Sequence, residues 1–221
     1  MVDRYLTVAR AGVHESEIKR SRFLCALAPV DSEEAAQAFV RAVRRKHPAA
    51  SHNCFAYVIG PDGRLHRASD DGEPGGTAGT PMLQVLLARE VRDTVAVVTR
   101  YYGGVQLGAG GLARAYGGAV AAALDETGTA ERRRLALVTV TVGHQRAGRL
   151  ENELRAAGHT VRGVGYGAEV TIALGVPADR LEPFRSWLAD TTSGAASCAV
   201  EGTAYVDVRG ENGRGDAREH V

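Results

Sequence analysis

Between Ser69 and Gly118 the chain places eleven of its 27 glycines, nine of them in two blocks. The first runs Ser69-Asp70-Asp71-Gly72-Glu73-Pro74-Gly75-Gly76-Thr77-Ala78-Gly79. The second runs from Arg100-Tyr101-Tyr102-Gly103-Gly104 through Gly108-Ala109-Gly110-Gly111 to Arg114 and Tyr116. Glycine loses more chain entropy on folding than any other residue, so such density belongs where the backbone takes positive φ or another group must approach closely. Each block leads into a helical pattern, which brings unpaired backbone N–H groups and the positive end of a helix dipole to one place. The two blocks are expected to meet in one rigid recognition surface.

At 221 residues the chain exceeds the usual size of one compact domain, so two domains are expected. With 44% hydrophobic and 24% charged residues the composition is that of an ordinary globular protein, and no apolar run approaches a membrane span. Asp3 and Arg4 follow Met1 where a secretory signal would turn apolar, so the expectation is a cytoplasmic protein with no membrane partner. Cys25, Cys54 and Cys198 are odd in number and far apart, which argues against a disulfide framework or a zinc site and for small buried hydrophobes. A net charge of +1 excludes the global positive excess of a non-specific nucleic-acid binder. Local basic runs remain: Lys19-Arg20-Ser21-Arg22, Arg41-Ala42-Val43-Arg44-Arg45-Lys46-His47 and Arg132-Arg133-Arg134. Taken singly, each reads as a solvated face or a helix C-terminus.

Periodicity organises the rest. Tyr5 to Val30 reads as an extended pair, and Asp31 with Glu34 as a capping box before a helix that ends at His47-Pro48. Phe55 to Ile59 is a strand and Pro61-Asp62-Gly63 a turn. Thr80 as N-cap with Pro81 opens a second helix, Val95 to Thr99 is a strand buried on both faces, and a third helix runs from Gly110 to Gly128. The first domain is therefore expected over residues 1–131. From 135 to 208 the order is strand, helix, two strands, helix, strand, the ferredoxin-like βαββαβ arrangement, in which Trp187 is a core anchor. Residues 209–221 have glycine and charge without periodicity and are expected to be disordered.

The second block has the general layout of an anion site, a buried strand feeding a glycine turn and a helix start. Its nucleic-acid- or anion-binding candidates are Arg100, Tyr101, Gly103, Gly104, Gly110, Gly111 and Arg114. The spacing is neither that of a P-loop nor that of a dinucleotide fold. His52, Asp70, Asp71 and Glu73 are candidates for organising the loop. Like charge at Asp70, Asp71 and Glu73 repels a naked phosphate, which leaves two readings. Either the carboxylates hold a divalent cation, or Asp70 and Asp71 pair with Arg100 or Arg114 and cap backbone N–H groups. The second is preferred because no complete metal shell is present. His52 and Cys54 share one strand face, where packing explains them without a catalytic thiol. No catalytic residue, metal site or cofactor is assigned.

The segments Glu17 to Phe23, His52 to Tyr57, Ser69 to Gly79 with Pro81, and Thr99 to Tyr116 resemble the YigZ/IMPACT family. The resemblance implies an α+β protein whose N-terminal domain has the βαβ, ribosomal-protein-type fold of elongation factor G domain IV, and whose C-terminal domain is like domain V of that factor. It suggests contact with RNA or the ribosome. Eukaryotic IMPACT proteins regulate translation under stress through competition for the activator of an initiation-factor kinase, using a further N-terminal domain that has no counterpart in this sequence. Gln106 and Thr80 stand where the family commonly carries lysine. The expected function is thus a non-enzymatic RNA- or ribosome-associated protein affecting translation. The alternatives are an enzyme acting on a phosphorylated small molecule or nucleotide with a divalent cation, and a protein-binding regulatory scaffold.

Overall fold

The computed structural model describes residues 2–208; the tail expected to be disordered lies outside them. The elements in order are β1 (Arg4–Val8), β2 (Gly12–Ile18), β3 (Ser21–Pro29), α1 (Glu33–Lys46), β4 (His52–Ile59), β5 (Leu65–Ser69), α2 (Gly79–Ala88), β6 (Thr94–Tyr101), α3 (Ala109–Thr127), β7 (Thr129–Val142), α4 (His144–Ala156), β8 (Thr160–Tyr166), β9 (Val170–Pro177), α5 (Leu181–Thr192) and β10 (Ser197–Val208). The described chain is a mixed α+β protein with two sheets, and it divides into two compact units at Glu131 and Arg132.

In the first unit one antiparallel sheet runs β2-β3-β6-β4-β5. Its central strand β6 carries Val95, Ala96, Val97 and Val98 without interruption because both of its faces are covered. Side chains alternate along a strand, so β3, β4 and β6 each feed two cores. Ala26, Phe55, Tyr57, Val95 and Val97 pack with Ala36, Val40 and Val43 of α1 on one face. Phe23, Cys25, Cys54, Ala56 and Val98 pack with Met82 and Leu86 of α2 and with Leu112, Tyr116 and Val120 of α3 on the other.

Two helix starts differ from the sequence expectation. The N-cap of α1 is Ser32, whose hydroxyl accepts from the Ala35 N–H at 3.2 Å; the cap expected at Asp31 falls one residue early. Helix α2 begins at Gly79 rather than behind Thr80, and its N-cap Ala78 has no side chain to offer. The strand β5 was not expected, since Leu65-His66-Arg67-Ala68-Ser69 lies on a sheet edge and is exposed for most of its length.

The second unit has the order β-α-β-β-α-β, with β7 between β10 and β9 and β8 beyond β9. Val138, Val140, Ile172 and Leu174 pack there against Leu150 and Leu154 of α4 and Phe184 and Leu188 of α5. Trp187 packs against that core, its ring 6.0 Å from Phe184 and 5.7 Å from His159. Arg132-Arg133-Arg134 belongs to β7, which starts before it. Arg133 pairs with Asp179 at 3.2 Å, so part of this basic run is locally neutralised.

Candidate functional site

The first glycine block is a loop organised from within by its own acids. Asp70 accepts three backbone N–H groups, from Gly76 (2.9 Å), Ala78 (3.0 Å) and Gly79 (2.8 Å). It thereby caps α2 from eight residues upstream of the formal cap position, satisfying donors that the helix leaves unpaired. Burial pushes the Asp70 carboxyl up, but these three donors outweigh it and hold it below its ordinary value. Asp71 accepts from the Asn53 N–H and from Arg44, each at 2.6 Å. Gly79 is required by close approach: a Cβ there would stand 2.7 Å from the backbone nitrogen of Ser69.

Glu73 links the two blocks. Its Oε1 accepts from Arg100 Nη1 at 2.7 Å and from the Tyr116 hydroxyl at 2.6 Å. Arg100 is buried, with its guanidinium over the Phe23 ring at 5.4 Å and the Tyr102 ring at 5.3 Å, and its Nη2 donates to Ser21 Oγ at 3.3 Å. His52 places Nδ1 2.9 Å from the Asp71 carbonyl. A carbonyl only accepts, so Nδ1 carries the hydrogen and Nε2 of the neutral ring is an acceptor. Cys54 donates its thiol to the Asp70 carbonyl at 2.9 Å, and burial pushes this thiol up to about 12. Such a group is protonated at neutral pH and is no nucleophile.

The second block packs beneath a hairpin tip. Lys19 and Arg20 join β2 to β3 with positive φ of 46° and 66° at non-glycine positions. A Cβ on Gly103 would collide with the Arg20 carbonyl, while the Gly103 N–H donates to Ser21 Oγ at 3.2 Å. Tyr101 points to the α1 side of the sheet, its hydroxyl 2.9 Å from His47 Nδ1 and its ring under the Arg22 guanidinium at 5.6 Å. One end of the unit therefore gathers the Lys19–Arg22 tip, the Arg44–His47 helix end and both glycine blocks. Among the described residues Lys19, Arg20, Arg45, Lys46 and Arg114 have no acidic partner.

Between the blocks opens a cleft of about 510 Å³ lined by His52, Glu73, Arg100, Tyr102, Gln106 and the start of α3 at Gly108 and Ala109. The blocks thus do converge. Gly108 is the N-cap of α3 at φ 73°, and no side chain caps the helix. Of the anticipated residues, Arg100 meets His52 and Glu73 here, whereas Tyr101 lies on the opposite sheet face. Gly110 and Gly111 form the first turn of α3, with Arg114 Nη1 3.6 Å from where a Gly110 Cβ would be. The expected pairing of Asp70 and Asp71 with Arg100 or Arg114 is corrected. Asp70 binds backbone, Asp71 takes Arg44, and Glu73 takes Arg100. The roles of Tyr116, Arg44 and Ser21 were missed, because each comes from an element whose local pattern reads as core, helix surface or turn. Among the described residues no cluster of three His, Cys, Asp or Glu suits a metal ion, and no helix is long and apolar enough to cross a membrane.

Fold and cleft define a two-unit α+β protein whose first unit carries a glycine-built cleft with its acids paired inside the unit. The model of the Impact N-terminal domain matches residues 19–124, and that of a domain of unknown function, DUF1949, matches residues 140–195. The chain is 41% identical over 207 residues to the IMPACT family member YvyE of Bacillus subtilis, covering 94% of this chain and 95% of that protein. It is 42% identical over 181 residues to the IMPACT family member YigZ of Escherichia coli, covering 81% and 89%. A crystal structure of a protein described as hypothetical superposes with a TM-score of 0.64 at 39% identity, over 90% of this chain and 98% of that one. The chain belongs to the IMPACT family.

Proposed function

We propose that this protein associates with RNA or the ribosome without catalysing a reaction, acts in translation, and docks on phosphate backbone through the Lys19–Arg20 and Arg45–Lys46 edge of its first unit. The observation that carries this reading is that every acid in the first glycine block already has a partner within the unit. With Asp70, Asp71 and Glu73 each bonded internally, the cations at the same end are left to act outward. The likeness of the two units to domains IV and V of elongation factor G, implied by the family resemblance, supports the same reading. So does the link of eukaryotic IMPACT proteins to translation.

Affinity for ribosomes and for structured ribosomal RNA, measured at low salt, tests it. Arg20→Glu with Lys46→Glu is expected to abolish binding while leaving the fold intact, since both side chains are exposed. Absence of binding by the unaltered protein at low salt, or binding indifferent to both charge reversals, overturns the proposal.

A further inference from the structure

The cleft between the glycine blocks has two chemically different ends. At one end α3 starts with Ala109, Gly110 and Gly111, whose N–H groups have no acceptor among the described residues and whose side chains are no larger than methyl. Orphan donors and the dipole together favour an anionic group. At the other end stand acceptors. Both hydrogen bonds to Glu73 arrive on Oε1; Oε2 has none and keeps contact with solvent. His52 Nε2, 3.9 Å from Glu73 Oε1, is a second acceptor in the neutral ring, whose Nδ1 hydrogen is held by the Asp71 carbonyl. Arg100 borders the cleft 5% exposed, its two Nη atoms bonded to Glu73 and Ser21 and its Nε enclosed, so it holds Glu73 in place and leaves the ligand to the other groups. Tyr102 offers a ring that is 48% exposed.

We infer that this cleft binds a ribonucleotide unit, either free or within an RNA strand. Its phosphate sits on the first turn of α3 at Gly108 and Ala109, its ribose hydroxyls donate to Glu73 Oε2 and His52 Nε2, and its base lies on Tyr102. A bare anion is disfavoured because Glu73 keeps one oxygen toward the same space. A neutral sugar leaves the α3 donors unmet. Only a ligand with an anionic end, a hydroxyl-donating end and an aromatic face answers all the groups present, and a cleft of about 510 Å³ has room for one such unit. Hydroxyl donation to two acceptors also favours ribose over deoxyribose, since loss of one hydrogen bond leaves a desolvated acceptor unmet. The inference rests on the RNA reading for its biological setting but concerns a site separate from the basic edge.

Amide NMR titration of the full chain with AMP, 2′-deoxy-AMP, ribose 5-phosphate, inorganic phosphate, and short oligoadenylates of RNA and DNA separates the possibilities. Saturating shifts are expected at Gly108, Ala109, Gly110 and Gly111, with AMP about three- to tenfold tighter than 2′-deoxy-AMP. Ala109→Asp keeps a helix-favouring carboxylate at the first turn but sets a negative charge where phosphate belongs, and is expected to lower AMP affinity at least about tenfold. Tyr102→Ala is expected to weaken AMP and leave ribose 5-phosphate unchanged. Shifts from RNA oligonucleotides but not from AMP would place the unit within a strand, in line with the proposal. Equal binding of phosphate and AMP, or no ribose preference in any arm, overturns it. RNA binding that depends on the basic edge, without any shift at α3, also overturns it while leaving the docking reading intact; loss of both kinds of binding removes both.

Discussion

Glu73 shows how one side chain can make a site and a fold depend on each other. It is buried with Arg100, and the two sit at the meeting point of both glycine blocks. Removing one partner of a buried ion pair strands the other charge, which costs about 3–5 kcal/mol. Glu73→Ala is therefore expected to destabilise the first unit by that order, whereas Tyr116→Phe, which removes one neutral donor, costs about 1 kcal/mol. The single tryptophan, Trp187, reports on the second unit, so amide exchange in β4 and β6 is the measurement that separates the two variants. Arg100→Ala is by the same reasoning a folding variant before it is a binding variant. Asp70 makes a pH prediction. Its carboxyl lies lower in the folded chain than its ordinary value of 3.8, so the folded state holds this proton less tightly than the unfolded one. The stability it contributes is complete above that ordinary value and is lost as pH falls through the lowered native one. Asp70→Asn keeps one acceptor oxygen but turns an amide toward a backbone donor. It is expected to lower stability at neutral pH by about 1–2 kcal/mol and to flatten the acid limb of a stability–pH curve.

At the scale of elements, the hairpin between β2 and β3 carries a conflict between local preference and position. Two-residue hairpin turns with both φ positive favour Asn-Gly, yet Lys19 and Arg20 occupy this one. A left-handed backbone costs a residue with a Cβ roughly 1–2 kcal/mol. Replacing Lys19-Arg20 by Asn-Gly is thus expected to raise the melting temperature of the first unit while weakening RNA binding, a pairing of effects that a purely structural turn would not give. Much of this architecture is legible in the chain: the twofold alternation of Phe23, Cys25 and Leu27, the unbroken apolar run at Val95–Val98, and the helical spacing of Leu112, Tyr116 and Val120 each encode an element directly. What could not be read has a common cause. The cap of α2 comes from Asp70, outside any local capping pattern; the partner of Asp71 is Arg44, on a helix of the opposite sheet face; and β5 is too exposed to alternate. A single-residue step along β6 turns Tyr101 from Arg100's face to that of His47, a division that composition alone does not show. Convergence of the glycine blocks was anticipated from composition, but the pairing inside them required tertiary contacts.

For the whole molecule, 27 Lys and Arg against 26 Asp and Glu leave a net charge of +1, and a sphere with that charge attracts RNA hardly at all. The distribution matters more than the sum. In the second unit Arg149, Arg155 and Arg185 each pair with a glutamate one helical turn away. In the first unit the acids nearest the glycine blocks are taken up by Arg44, Arg100 and backbone N–H groups, so Lys19, Arg20, Arg45, Lys46 and Arg114 remain without an acidic partner among the described residues. Counterion release makes this difference measurable, because each phosphate neutralised contributes about 0.7 to the slope of log affinity against log salt on a single strand. Engagement of all these cations predicts a slope approaching about −3.5, and Lys19→Ala with Arg20→Ala should reduce it by about 1.4. A docking surface confined to the edge loses slope stepwise as its cations are removed one by one. A slope near zero, or one that the Arg132-Arg133-Arg134 run controls instead, would mean that the internally partnered acids serve the fold alone and that the first unit presents no field to a nucleic acid.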